Sequence, residues 1–197
     1  MLLAILEGCV TSLHPLYTSR DLVYDTRLLG TWNSEGGKHT WKLENMMDHQ
    51  LAGITDPVER QKRETLKGTM VDKRSYLLTY TEDGHSAEFL ANLVQLDGHQ
   101  FMDIFPLSAK MPVQFLEDHY LPTHTYAKVE IAAGKASLYF FNAQKLYELM
   151  DQNRIRLKHE SLEYYKVITA STEELQAFVK KFADHKDMFE DAVVLKR

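Results

Sequence analysis

The sequence predicts a mostly β domain: an antiparallel up-and-down barrel or a strongly curved meander, with an amphipathic helix near the C terminus. Three observations carry this expectation. Short runs of alternating apolar and polar residues recur along the chain. Turn dipeptides, among them Asp83-Gly84 and Asp97-Gly98, separate several of those runs. The last third then changes period, and Leu175, Phe178, Val179 and Phe182 fall at i, i+3, i+4 and i+7.

Taken in order, residues 14–29 form an irregular lead-in containing Pro15, and 25–30 suits one helical turn ended by Gly30. Two short β-prone runs flank Gly36-Gly37, which reads as a hairpin. Residues 45–74 are the most polar stretch and read as a long loop or a short surface helix. Their cluster from Glu59 to Glu64 mixes both charge signs and reads as a solvated face. The runs 76–81, 87–96 and 101–105 are joined by tight turns and describe a meander. In the third, Phe101, Asp103 and Phe105 share one face, with Met102 and Ile104 on the other. A proline-containing loop covers 106–123, and strands follow at 125–131 and 136–141 around Ala133-Gly134.

The stretch 143–152 is helical in pattern, with Asn142 as its N-cap. Residues 154–159 alternate again, which groups Ile155, Leu157 and His159, and 164–169 is a further strand. Ser171 and Glu174 form a capping box that starts the last helix. The total is about eight or nine strands and two helices, the shorter helix preceding the last strands, and closure of such a sheet removes its exposed edges.

The bulk properties narrow the function. A chain of 197 residues suits one domain, since domains span roughly 50–250 residues. The net charge of -5 disfavours binding to a phosphate backbone. No interior run reaches the roughly 20 apolar residues a membrane helix needs. There is one cysteine, Cys9, so no disulfide can form within the chain. It follows the apolar stretch 1–8, which ends in Leu6-Glu7-Gly8, and this resembles the end of a bacterial lipoprotein signal, whose cysteine is lipidated after cleavage. Residues 1–27 are therefore read as a lead-in with a possible signal remnant; the alternative is that residues 1–13 are a frayed terminus or a short strand with an incidental cysteine.

Gly30-Thr31-Trp32, at the start of the first strand after a short helical turn, resembles the lipocalins and related calycin barrels. The meander and the helix near the C terminus are similar in outline. The resemblance implies one lipocalin-like domain over 28–197. It implies that Gly30 lets the chain turn into the barrel and that Trp32 packs across the closed end. It further implies an arginine stacked on that tryptophan, a role that Arg154 or Arg156 would take here. His14-Pro-Leu-Tyr17 and Leu28-Leu-Gly-Thr-Trp32 also resemble bacterial envelope lipoproteins of unassigned function.

No catalytic motif stands out. The chain lacks a Gly-x-Ser-x-Gly elbow, a P-loop and a Gly-x-Gly-x-x-Gly turn. Asp118, His119 and His124 lie within one loop, but the spacing is not that of a strong metal site, so they read as polar loop residues. His39, His85 and His99 sit at turns and read as solvated. His159 shares an apolar face and reads as a hydrogen-bonded core residue. Cys9 has nothing nearby to lower its pKa.

The expectation is therefore non-catalytic binding or carriage of a small hydrophobic ligand, without a cofactor or metal. The site would be an interior lined by Trp32, Phe89, Leu93, Phe101, Val129, Leu138, Phe140, Leu157 and His159. The expected address is the periplasmic side of a bacterial envelope, tethered through lipid on Cys9, or alternatively the cytoplasm. The rival is a structural or protein-interaction module with a filled core, because an eight-stranded lumen can be filled by side chains alone. An enzyme using His159 or His124 is a further alternative, and it requires a carboxylate beside that histidine in a cleft.

Overall fold

The computed structural model describes residues 9–58, 61, 72–107, 113–163 and 165–197. Twelve strands occur among them, and eight close a ring. The ring strands are β3 (Gly30–Ser34), β4 (His39–Asn45), β5 (Tyr76–Glu82), β6 (His85–Leu96), β7 (His99–Pro106), β8 (His124–Ala132), β9 (Lys135–Phe140) and β12 (Val193–Lys196). Each neighbouring pair is antiparallel. β12 lies between β9 and β3, and β8 pairs with β9, so the sheet has no free edge around the ring. The mostly β, closed antiparallel barrel expected from the sequence is the observed fold.

Four short strands extend the wall. β1 (Thr11–Ser12) continues the edge of β8 beyond the point where β9 ends. β11 (Lys166–Ile168) lies parallel to β1 and pairs with β10 (His159–Ser161). β2 (Leu22–Val23) pairs with the far end of β6. Four helices have both ends among the described residues: α1 (Met46–Leu51), α2 (Gln114–Glu117), α3 (Ala143–Asp151) and α4 (Thr172–Phe182).

Turn chemistry sets the register. At Asp97-Gly98 both residues take positive φ, 46° and 85°, which matches the right-handed twist of the flanking strands. That turn aligns Leu96 with His99 and carries the pairing through to Phe89 and Pro106. α4 begins where the capping box was read: the Ser171 side chain accepts from the Glu174 amide, and Glu174 accepts from the Ser171 amide. Asn142 caps α3 by accepting from the Lys145 amide.

Three apolar clusters result among the described residues: an inner core, an outer core, and a small one of Met46, Leu77 and Leu90 with Phe105 packed against it. The inner core fills the barrel with Trp32, Leu43, Tyr76, Leu78, Ala91, Leu93, Met102, Ala127, Val129, Leu138 and Leu195. The outer core lies where α3 and α4 cover β6, β7 and β8. It joins Val94, Leu96, Phe101 and Tyr126 to Leu146, Leu149, Leu175, Phe178 and Val179. The two faces of β7 divide as alternation requires, Met102 and Ile104 inward, Phe101 and Asp103 outward.

The outer wall holds a buried polar pair. Asp103 is fully buried, accepts the Leu16 amide at 2.7 Å and meets His124 Nδ1 at 2.7 Å. This pair fixes the lead-in segment to the wall through charge-assisted bonds shielded from water.

Several local expectations are corrected. Residues 154–158 form no strand, because the amides of Arg154 and Ile155 turn back to the Leu149 carbonyl and finish α3. The strand expected over 164–169 is limited to Lys166–Ile168. The polar region opens with the helix Met46–Leu51 and is helical again at Pro57, Val58 and Gln61; the rest of the Glu59 to Glu64 cluster lies outside the described residues. The stretch 1–8 also lies outside them. β12 had no signal in the sequence pattern.

Urea unfolding checks the weight of these contacts. Asp103→Ala should cost about 3 kcal/mol, because it leaves His124 and the Leu16 amide buried without their acceptor. Ser171→Ala should cost about 1 kcal/mol. A loss at Asp103 no larger than that at Ser171 would contradict the structural role given to the buried pair.

Candidate functional site

The strand directions give the barrel two different ends. The base carries the 3-10 turn Thr26–Leu28, the turns after β6 and β8, and the C terminus. The mouth carries the turns at 35–38 and 83–84, the connection 107–123 and the approach to β12.

The base is sealed. Asp25 caps the 3-10 turn by accepting the Arg27 amide. Gly30 then takes φ 113°, a conformation that side chains rarely adopt, and turns the chain into β3. Trp32 lies across the interior and donates from Nε1 to the Leu28 carbonyl at 2.8 Å. The Arg197 guanidinium sits 4.3 Å from the centre of the Trp32 ring and donates to the carbonyls of Arg27 and Leu29. The stacked arginine is therefore Arg197, not Arg154 or Arg156. The C-terminal strand delivers it, and residues 154–156 are committed to the end of α3.

Above the seal the interior is filled. Trp32, Tyr76, Leu78, Leu93, Met102 and Leu138 are each at most 2 % exposed. Such close packing leaves the lower barrel as core. Towards the mouth the inward side chains open to solvent: Tyr80, Phe89, Phe140 and Val193 are only partly buried.

One polar cluster stands on this inner face. His39 lies two residues before Trp41 on β4, and Tyr80 and Glu82 follow Leu78 on β5, so alternation points all three the same way. The Tyr80 hydroxyl is 2.9 Å from His39 Nδ1 and donates to Glu82 Oε2 at 3.3 Å in the alternative orientation. The His39 ring stacks on Tyr80, and Trp41 meets Tyr80 edge-on. His39 Nδ1 also lies 3.5 Å from Glu82 Oε1. Burial, reinforced by the Glu82 charge, pushes the Tyr80 hydroxyl up to about 12. The arrangement can bind a polar group beside an apolar one.

The residues expected to line the interior divide between several places. Trp32, Leu93, Val129 and Leu138 belong to the packed lower core, and Phe89 and Phe140 lie towards the mouth. Phe101 and Leu157 are corrected to the outer core, where they pack under the helices. Alternation separates the two faces of β7 but not which one turns inward, because each carries large apolar residues. His159 stands on β10, outside the ring, with Nδ1 2.8 Å from the Leu157 carbonyl. His124 has a carboxylate beside it but is 2 % exposed, in the wall rather than in a cleft. Asp118 and His119 do not join it: His119 contacts Phe115. Among the described residues no three His, Cys, Asp or Glu side chains converge as a metal site. Burial pushes the Cys9 thiol up, away from thiolate character.

His39 was read as solvated and is instead half-buried against Tyr80. Its signal lay in the two-residue spacing from Trp41, which puts it on the same face. Two surface hollows, of about 420 Å³ beside the turn after β6 and about 580 Å³ between the lead-in segment and α4, involve none of the mouth residues.

Absorbance titration of the protein against Tyr80→Phe should isolate a phenol ionising at about 12. Glu82→Gln should lower that midpoint by removing the repelling carboxylate. The folded chain holds this proton more tightly than the unfolded one. Its contribution to stability is thus complete below pH about 10 and fades as the pH rises towards 12. An unshifted midpoint in Glu82→Gln would contradict the contact. No protein-family model, curated protein or solved structure matches this chain.

Proposed function

We propose that this is a lipocalin-like barrel that binds or carries a small hydrophobic molecule without catalysis, seated at the mouth rather than deep in the lumen. The observation that carries the reading is the gradient of burial inside the barrel. Below, Leu78, Leu93 and Met102 are sealed by packing; above, the aromatic faces of Tyr80, Phe89 and Phe140 are inward-facing yet reach solvent. The 3-10 turn, Gly30, Trp32 and the stacked Arg197 together support the likeness to lipocalins, since they close the base in the way that resemblance implies.

A second reading has its own support. The filled lower barrel and the exposed Leu107, Val113, Phe115, Tyr120 and Leu121 along one mouth connection also suit a protein-interaction module. We further propose a tether at the bacterial envelope through lipid on Cys9, on the strength of the Leu6-Glu7-Gly8-Cys9 sequence.

A neutral apolar fluorophore such as N-phenyl-1-naphthylamine distinguishes the first two readings. It should bind with quenching of tryptophan emission, and Phe89→Ser and Phe140→Ser should each weaken binding about tenfold. Absence of binding, or binding indifferent to both substitutions, would favour the interaction module. Native mass spectrometry of the protein from its own membrane fraction tests the tether: a diacylglycerol-sized mass should be present and lost in Cys9→Ser, and a bare protein would rule the tether out.

A further inference from the structure

The inward-facing carboxylate at the mouth differs from its neighbours on the barrel. Glu44 pairs with Lys42 at 2.9 Å, Glu35 with Lys196 at 3.1 Å and Asp72 with Arg74 at 2.8 Å. Glu82 meets no lysine or arginine among the described residues. Its oxygens reach only the Tyr80 hydroxyl and His39 Nδ1, and its side chain is 46 % exposed. It is thus a carboxylate held in place by an aromatic hydroxyl and an imidazole, with capacity left to accept further hydrogen bonds.

The surroundings of Glu82 favour one sign of charge. The Tyr80 ring adjoins it through the hydroxyl, with Trp41 edge-on behind Tyr80, and aromatic rings attract cations. The turns and the approach strand that bound the mouth carry Asp83, Glu190 and Asp191 against the exposed Lys38. Glu35, in the same turn as Lys38, is already paired. An anionic ligand head would face Glu82, which has no guanidinium or ammonium paired with it among the described residues. The deeper neighbours, Phe89 and Phe140, are apolar.

We infer that the mouth of this barrel recognises a cationic hydrophobic molecule, an alkyl- or aryl-ammonium, with its charge against Glu82 beside the Tyr80 ring and its apolar part on Phe89 and Phe140. This rests on the reading that the mouth takes an apolar ligand, and it adds the charge of the head. His39 acts as a positioning residue: stacking on Tyr80 and bonding through Nδ1 hold the carboxylate and the phenol together.

Three probes with the same tail test it: dodecyltrimethylammonium, dodecanol and dodecanoate, each below micelle formation, measured by tryptophan fluorescence and calorimetry on the full chain. The ammonium should bind about tenfold more tightly than the alcohol, and the carboxylate more weakly than either. Glu82→Gln should bring the ammonium to the affinity of the alcohol. Because Glu82 is half-exposed, that variant should keep its circular dichroism and melting midpoint. If the alcohol binds but the three heads do not differ, or dodecanoate binds best, the charge selectivity is wrong and apolar binding survives. If none of the three binds, apolar binding fails and this inference fails with it.

Discussion

The ring closes through the four residues of β12, which bond to β9 on one edge and to β3 on the other, and most of what distinguishes this molecule depends on that closure. Without β12 the sheet would be an open meander with exposed edges on β3 and β9. Closure also brings Arg197 to the base, where its guanidinium stacks on Trp32 and takes up carbonyls of the 3-10 turn that precedes β3. The two termini of the barrel are thus joined by one side chain. A chain end normally frays, and here the ladder on both sides and the cation on the indole hold it.

Closure decides where a ligand could sit. An eight-stranded barrel encloses barely more than its own side chains. With Trp32 lying across the base and leucines and Met102 above it, the lower lumen is consumed by packing. Towards the mouth the inward side chains cease to cover one another, and the proposed seat lies there. The polar cluster of His39, Tyr80 and Glu82 stands at that boundary, with its aromatic rings continuous with the core below. The outer core has the opposite role. It covers β6, β7 and β8 with helices and ties the lead-in to the wall through Asp103 and His124.

Much of the fold was legible because its signals are local. The Asp97-Gly98 turn, the capping box at Ser171 and the stripe from Leu175 to Phe182 each need only a few neighbouring residues, and each formed as the pattern requires. The strand that completes the ring was not legible. Val193-Val-Leu-Lys196 is short, has no hairpin turn before it, and pairs with strands far away in sequence. The inner and outer faces of β7 could not be told apart for a related reason. Phe101 and Met102 are both apolar, and only the docking of α3 and α4 determines that Phe101 belongs outside. The candidate site was half visible. Phe89 and Phe140 followed from alternation, but His39 and Glu82 lie at hairpin ends, where a polar residue ordinarily means solvent, and their meeting with Tyr80 depends on the pairing of β4 with β5.

Hydrogen exchange followed by mass spectrometry tests the closed ring most directly. The amides of Val194 and Leu195, flanked by two ladders, should exchange as slowly as those in the middle of β8 and β9, with opening governed by global unfolding. Fast exchange of 193–197 alongside protected β8 and β9 would mean that the C-terminal strand is not part of the barrel, and the sealed base, the filled lower lumen and the seat at the mouth would lose their common foundation.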